Sequence, residues 1–157
     1  MLIKPVGYGD ADASRLIAEV QQEYVVRYGG RDGTPVDPAE FAPPAGIFLV
    51  GYLDGVPVAS GGWRSRGADA EIKRMYVTPA ARNRGLARQL LAELERAAAA
   101  AGHRRVILES GSQQPEAVAL YRSSGYIPIA PFGHYADASG AIHLGKHLTP
   151  GPVTPVS

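Results

Sequence analysis

The sequence predicts a mixed α/β domain built around a central β-α-β unit. Three observations carry that prediction. Apolar residues recur at helical spacing in two long segments, Ala11 to about Tyr28 and about Gly85 to Ala101. Short β-rich runs alternate with those segments and are punctuated by Gly and Pro. The second long helix lies between two strand-like runs, AEIKRMYV and RRVILES, in the order a crossover unit requires.

MLIKPV reads as a short first strand. In the first helix, Leu16, Ile17, Val20, Tyr24 and Val25 form the repeating apolar face. GGRDGTPVDPAEFAPP, rich in Gly, Pro and Asp, predicts a long irregular loop or a short broken helix, and loops of that length are often functional. Two β-rich runs flank Asp54-Gly55, the strongest short hairpin signal. AEIKRMYV, Ala70 to Val77, is an alternating strand closed by Thr78-Pro79. In the second helix Leu86, Leu90, Leu91, Leu94 and Ala98 make one stripe, and Gly102 marks its end. RRVILES has the character of a buried strand. Pro115 to Ser124 predicts a short helix with Pro in its first turn and Gly125 beyond its end. YIPI and AIHLGKHL supply two last strands. TPGPVTPVS, residues 149–157, reads as an unstructured tail, leaving 1–148 as a single domain.

The chain has 157 residues and a net charge of +1, so no global charge calls for nucleic acid or an anionic membrane as partner. It has no cysteine, which excludes disulfides, thiolate metal sites and a cysteine nucleophile. No apolar run is long enough to span a bilayer, and MLIKPVGYGD lacks a signal-peptide core, so the expected location is cytoplasmic. The four histidines, His103, His134, His143 and His147, have no metal-ligand spacing and read as structural or surface groups, with no metal expected. The oligomeric state is open, a homodimer included.

The most informative stretch is RNRGLARQLL, Arg82 to Leu91. Arginines usually favour the last turn of a helix, where the dipole is negative, yet here Arg82, Arg84 and Arg88 crowd its start. A strand, a tight turn and a glycine at a helix N-terminus make a general anion site, because unpaired N–H groups point outward there. The arginines would add charge-assisted contacts to a phosphate. Gly-Lys-Ser/Thr is missing, so this is no P-loop. With Gly85 as the one glycine of the loop, the dinucleotide pattern GxGxxG fails too.

Arg82-Asn83-Arg84-Gly85-Leu86-Ala87 resembles the R/Q-x-x-G-x-G/A pyrophosphate loop of the Gcn5-related N-acetyltransferases (GNAT). EIKRMYV before it, and VILESG and QPEAVALYRSSGYIPI after it, resemble the rest of that family's acetyl-CoA core, in the same order and over Ala70 to Ile129. The resemblance implies a mostly antiparallel sheet with helices on both faces. Its EIKRMYV and RRVILES strands would splay apart, with the pantetheine arm of acetyl-CoA in the gap. It implies backbone contacts to that arm from Met75, Tyr76 and Val77, and pyrophosphate contacts from Arg82, Asn83, Arg84, Gly85, Leu86, Ala87 and Arg88. Gln114 stands where many relatives carry an Asn that contacts the cofactor.

Acetyl transfer from a thioester needs a deprotonated amine, a donor for the tetrahedral oxyanion and a proton for the leaving thiolate. Glu71 falls where several relatives carry a general-base glutamate, and alternation would set it on one face with Lys73, Met75 and Val77. Pairing with a neighbouring Lys or Arg is the competing role for Glu71, and Glu109 is the rival base. Tyr121, in the A-x-x-L-Y position of the family, is the expected general acid, whereas Tyr126 is expected to pack. The oxyanion donor would be a backbone N–H near Met75 or Tyr76.

The acceptor pocket would be built by the loop after the first helix, the hairpin and the loop before the last strand. Tyr24, Tyr28, Trp63, Phe132 and Tyr135 are its candidate aromatic walls, and His134 its candidate polar contact. Asp32, Asp37 and Glu40 would favour a cationic amine, while Arg27, Arg31 and Arg64 would favour an acceptor bearing a carboxylate. The leading function is therefore acetyl-CoA-dependent N-acetylation of a small amine or amino-acid-like molecule. The alternatives are acetylation of a protein N-terminus or lysine, and acyl-CoA sensing without catalysis.

Overall fold

Each predicted element forms, and the sheet they build is open at its centre. The structure is a computed structural model describing residues 1–149, so all but Thr149 of the expected tail lies outside the described residues. The strands β1 (Leu2–Pro5), β2 (Gly46–Leu53), β3 (Val56–Arg66), β4 (Asp69–Val77), β5 (Arg105–Gly111), β6 (Ile127–Pro128) and β7 (Ala141–His147) join one sheet, ordered β1-β2-β3-β4-β5-β7-β6. Every neighbouring pair is antiparallel except β4–β5. That pair is parallel and brief, holding only from Asp69↔Arg105 to Glu71↔Ile107. Beyond Glu71 the two strands diverge, and the β5-facing edge of β4 is left without a ladder partner up to Val77.

Three helices flank the sheet. Helix α1 (Ala11–Tyr28) starts at Asp10, whose side chain accepts from the Asp12 and Ala13 amides, and stops at Gly29 in the left-handed region. It packs Ala13, Leu16 and Val20 against Phe48, Val50 and Tyr76 on one face. Phe41, in the short 3₁₀ turn Pro38–Phe41, closes that layer. Helix α2 (Leu86–Ala100) buries its leucine stripe on the opposite face, with α3 (Pro115–Ser123) beside it through Tyr121. Fully burying each of those leucines contributes about 2 kcal/mol, so the stripe alone accounts for α2's orientation. Asp54 and Gly55 both take positive φ, 49° and 77°, as a two-residue hairpin turn between β2 and β3 requires. No helix among the described residues is long and apolar enough to cross a membrane.

One departure from the expected pattern shapes the site. Strand β4 does not alternate throughout: its register against β3 shifts between Lys73↔Gly62 and Tyr76↔Ser60, so Arg74 and Met75 together oppose Gly61. Arg74 takes φ 63° to do so. The bulge reverses the phase of the strand. Met75 and Val77 pack towards α2, and Tyr76 packs towards α1. Glu71 and Lys73 instead reach residues of the α1–β2 side, so they do not share a face with Met75 and Val77 as alternation predicted.

Candidate active site

The gap between β4 and β5 opens into a cavity of about 250 Å³. Its wall includes Tyr24 and Tyr28 from α1, Lys73 from β4, Glu109 from β5, Tyr121 from α3 and Tyr135 from the β6–β7 loop. Met75 and Gln114 also border it. The strand divergence therefore brings together most of the residues expected near the thioester, from five separate segments.

Glu109 and Glu71 have exchanged prominence. Glu71 is 5% exposed and is bonded to Arg64, whose Nε lies 3.2 Å away, with Arg66 at 4.0 Å. Arg64 is anchored in turn by the Pro35 carbonyl and Glu40, so Glu71 belongs to a structural ion-pair network outside the cavity wall. Glu109 borders the cavity, and its carboxylate makes no hydrogen bond or ion pair with any described residue. Burial pushes its carboxyl above the usual range; Lys73 opposes that rise, and the Asp32 and Glu71 charges reinforce it.

Tyr121 borders the same cavity as Glu109. Its ring stands edge-on to Tyr126, with centroids 5.7 Å apart. Burial, then the charge of Glu109, raises its phenol above the ordinary value, so it stays protonated throughout the neutral range. Tyr126 bonds Glu95 from the core side, the packing role expected of it.

On the β4 side, Lys73 and Arg74 converge on one carboxylate, that of Asp32, at 2.9 and 2.5 Å. Thr34 donates to the same carboxylate through its amide and hydroxyl, at 3.0 and 2.7 Å. Burial alone would raise the Asp32 carboxyl, but Lys73 and the Thr34 bonds outweigh it and hold the group far below the usual range. Asp32 is thus already committed and is not available to attract an amine. Asp37 and Glu40 cap the 3₁₀ turn reciprocally and lie outside the cavity wall. Arg27 is likewise committed, bridging Glu23, Glu116 and the Gln113 carbonyl. Beside it the Tyr28 hydroxyl donates to Gln114 at 3.1 Å, and a side chain at Gly111 would collide with the Tyr28 ring. These contacts tie the end of α1 to the start of α3 along the cavity wall, which includes Tyr28, Gly111 and Gln114.

Three expected acceptor contacts lie elsewhere. Trp63 is 2% exposed in the α2-side core, its indole N–H donating to the Leu94 carbonyl at 3.1 Å. It faces that way because it pairs with Ile72 of β4, which points at α2. Phe132 packs edge-on to His143 and beneath Arg66, outside the wall. His134 is exposed and stands edge-on to Tyr135, whose hydroxyl accepts from the Gly33 amide at 2.8 Å. His143, one of the histidines read as structural or surface, is buried opposite Glu109 with both ring nitrogens unbonded.

At the start of α2, Asn83 and Gly85 both take left-handed φ, 63° and 75°. Gly85 is the N-cap of α2; no side chain caps that helix and no acid occupies its first turn. The amides of that turn are therefore open to an anion. The arginines divide the work. Arg82 donates to the Val77 carbonyl and pairs with Glu23, so it frames the loop. Arg88 bonds Ser123 and Ser124 at the end of α3, and Arg84 has no bonded side chain among the described residues. A β-carbon at Gly85 would meet nothing within 4 Å, so the glycine serves the backbone angle rather than a tight space. Gly85→Ala should cost about 1–2 kcal/mol of stability and raise the KM for acetyl-CoA several-fold. Unchanged values of both would remove the loop from the binding site.

The comparisons with known proteins agree with this geometry. The acetyltransferase (GNAT) family profile matches residues 15–126. The "IAA acetyltransferase" of Azospirillum brasilense is 33% identical over 136 residues, 85% of this chain and 89% of that protein. Among solved structures, one described as an acyl-CoA N-acyltransferase from Klebsiella pneumoniae superposes with TM-score 0.77 at 28% identity, covering 94% of this chain and 97% of that one. The paia N-acetyltransferase of Thermoplasma acidophilum, solved with coenzyme A, shares the fold at TM-score 0.70 and 15% identity, covering 94% and 99% of the two chains. A sheet that parts between β4 and β5, a left-handed loop opening an uncapped α2, and these matches agree: the chain belongs to the GNAT family and is an acetyl-CoA-dependent acetyltransferase.

Proposed function

We propose that the enzyme transfers the acetyl group of acetyl-CoA directly to the primary amine of a small molecule, both substrates being bound at once, with Glu109 as the base. The observation that carries this reading is the unbonded Glu109 carboxylate on the cavity wall, its affinity for a proton raised by burial. The unpaired edge of β4 from Ile72 to Val77 suits an extended pantetheine arm, and the open α2 terminus suits its pyrophosphate. Within that ternary arrangement Glu109 accepts a proton from the acceptor ammonium, directly or through one water. The freed amine attacks the thioester carbonyl, and a β4 amide near Met75 or Tyr76 donates to the developing oxyanion. As the carbon–sulfur bond breaks, Tyr121 gives its proton to the departing thiolate and is reprotonated from solvent. The α1–α3 contacts along the cavity wall favour a small acceptor over a folded protein segment.

Thiol release from acetyl-CoA, measured across a panel of amines, amino acids and peptides, tests the reading. Turnover confined to small amines is expected. Turnover on peptides alone would overturn the acceptor class, and CoA binding without turnover on any acceptor would support the sensor alternative.

A further inference from the structure

We infer that the acceptor carries a carboxylate beside its amine, as an α-amino acid does, and that the Lys73–Arg74 side of the cavity holds it. The inference rests on the acetyltransferase reading above and extends it to the far end of the acceptor. Two buried cations, 8% and 5% exposed, share the single carboxylate of Asp32. That cluster keeps a surplus positive charge and a surplus of donors. Lys73 brings three N–H groups and Arg74 five, against one carboxylate that also accepts from Thr34 twice. At Arg74 the Nε is buried with no partner and out of reach of the cavity, so the donor left for an acceptor is the remaining N–H of Lys73. Lys73 bonds Asp32 and Thr34 and still borders the cavity. Arg31 also borders it and is paired with no acid among the described residues. Asp32 and Glu109 are the acids of the wall; Asp32 is held by Lys73 and Arg74, so Glu109, across the β4–β5 gap from Lys73, is the one left uncommitted. The cavity is therefore bipolar, and a zwitterion matches it in both charge and orientation. The ammonium lies towards Glu109 and the Tyr121 side, where the chemistry occurs, and the carboxylate lies towards Lys73. A buried surplus cation is costly until an anion joins it, so the carboxylate contributes more here than on an open surface. Tyr24, Tyr28 and Tyr135 line the remaining wall and would contact the acceptor's side chain.

The test compares glycine, alanine and phenylalanine with their amides, measuring kcat/KM at saturating acetyl-CoA. The same CoA-loaded enzyme is titrated calorimetrically with N-acetylphenylalanine and N-acetylphenylalaninamide, which have no reactive amine. Each acid should exceed its amide by about tenfold or more, the range of a hydrogen bond to a charged group. The amide's amine is the less basic and the readier nucleophile near neutral pH, so a preference for the acid runs against that bias. Lys73→Gln should collapse the ratio, and the wild-type ratio is readable even where that variant fails to fold. Equal binding of acid and amide, or no binding of any acid, overturns the inference. Turnover indifferent to the carboxylate would remove this subsite and leave the acetyltransferase reading intact. Acid-selective binding without turnover on any amine would do the opposite.

Discussion

Glu109→Gln should lower kcat by about 10²–10³-fold, within the range for loss of a positioned base, and abolish the rise of activity with pH. The sign follows from the environment of the carboxyl. Burial raises its proton affinity, so the ionised base accumulates only as pH climbs through that raised value, and activity climbs with it. Stability runs the other way. A group whose folded pKa is raised stabilises the fold fully at low pH and loses that contribution as pH rises through the folded value. A neutral amide resembles the form the fold prefers, so Glu109→Gln should keep or raise the melting temperature while activity collapses. Glu71→Gln is the contrasting variant. It removes the more buried of the two carboxylates that pair with Arg64, so it should lower the melting temperature while the pH rise persists. Stopped-assay pH profiles and thermal melts of both variants decide the matter. A normal pH rise in Glu109→Gln, with a flat one in Glu71→Gln, would return the base to Glu71.

Trp63→Ala should be the most destabilising of the aromatic substitutions, at about 3–5 kcal/mol. The indole is buried on the α2 side, bonded to the Leu94 carbonyl and edge-on to His103 at 4.9 Å. Truncation removes its packing and leaves that carbonyl without its donor. For a domain of this size the melting temperature should fall by on the order of 10 °C. Below the transition, the KM for the acceptor should match wild type, because the side chain faces away from the cavity. A raised acceptor KM with stability unchanged would restore Trp63 to the pocket wall.

The helices, the hairpin and the left-handed loop before α2 were legible because each depends on local chemistry. The α2 stripe needs only its own spacing, and the Asp54-Gly55 turn only two residues that tolerate positive φ. The cleft was legible in part. Tyr24, Tyr28, Gln114, Tyr121, Tyr135 and Glu109 do border it, because they sit on or beside regular elements whose order was readable. What escaped depends on phase and on loops. Nothing in EIKRMYV marks Arg74 as the residue that takes a left-handed angle, so Glu71 was expected in line with Met75 and Val77. Trp63 was misplaced for a related reason: SGGWRS contains no cue to which side of the sheet its indole faces. The acids of the first loop were indistinguishable in sequence. Asp32 meets Lys73 and Arg74, while Asp37, five positions on, only caps a 3₁₀ turn.

Along a regular strand, adjacent side chains point in opposite directions and cannot act as one unit. The bulge at Arg74 suspends that rule for a single step, turning a dipeptide, Lys73-Arg74, into a chelating pair. Its counter-charge comes from a different segment altogether, the loop that carries Asp32. The polarity of the cleft is therefore divided between a rigid strand and a separately variable connection. Exchanging the loop would change the charge of the cleft without disturbing the sheet, a modular route by which one scaffold varies its pocket.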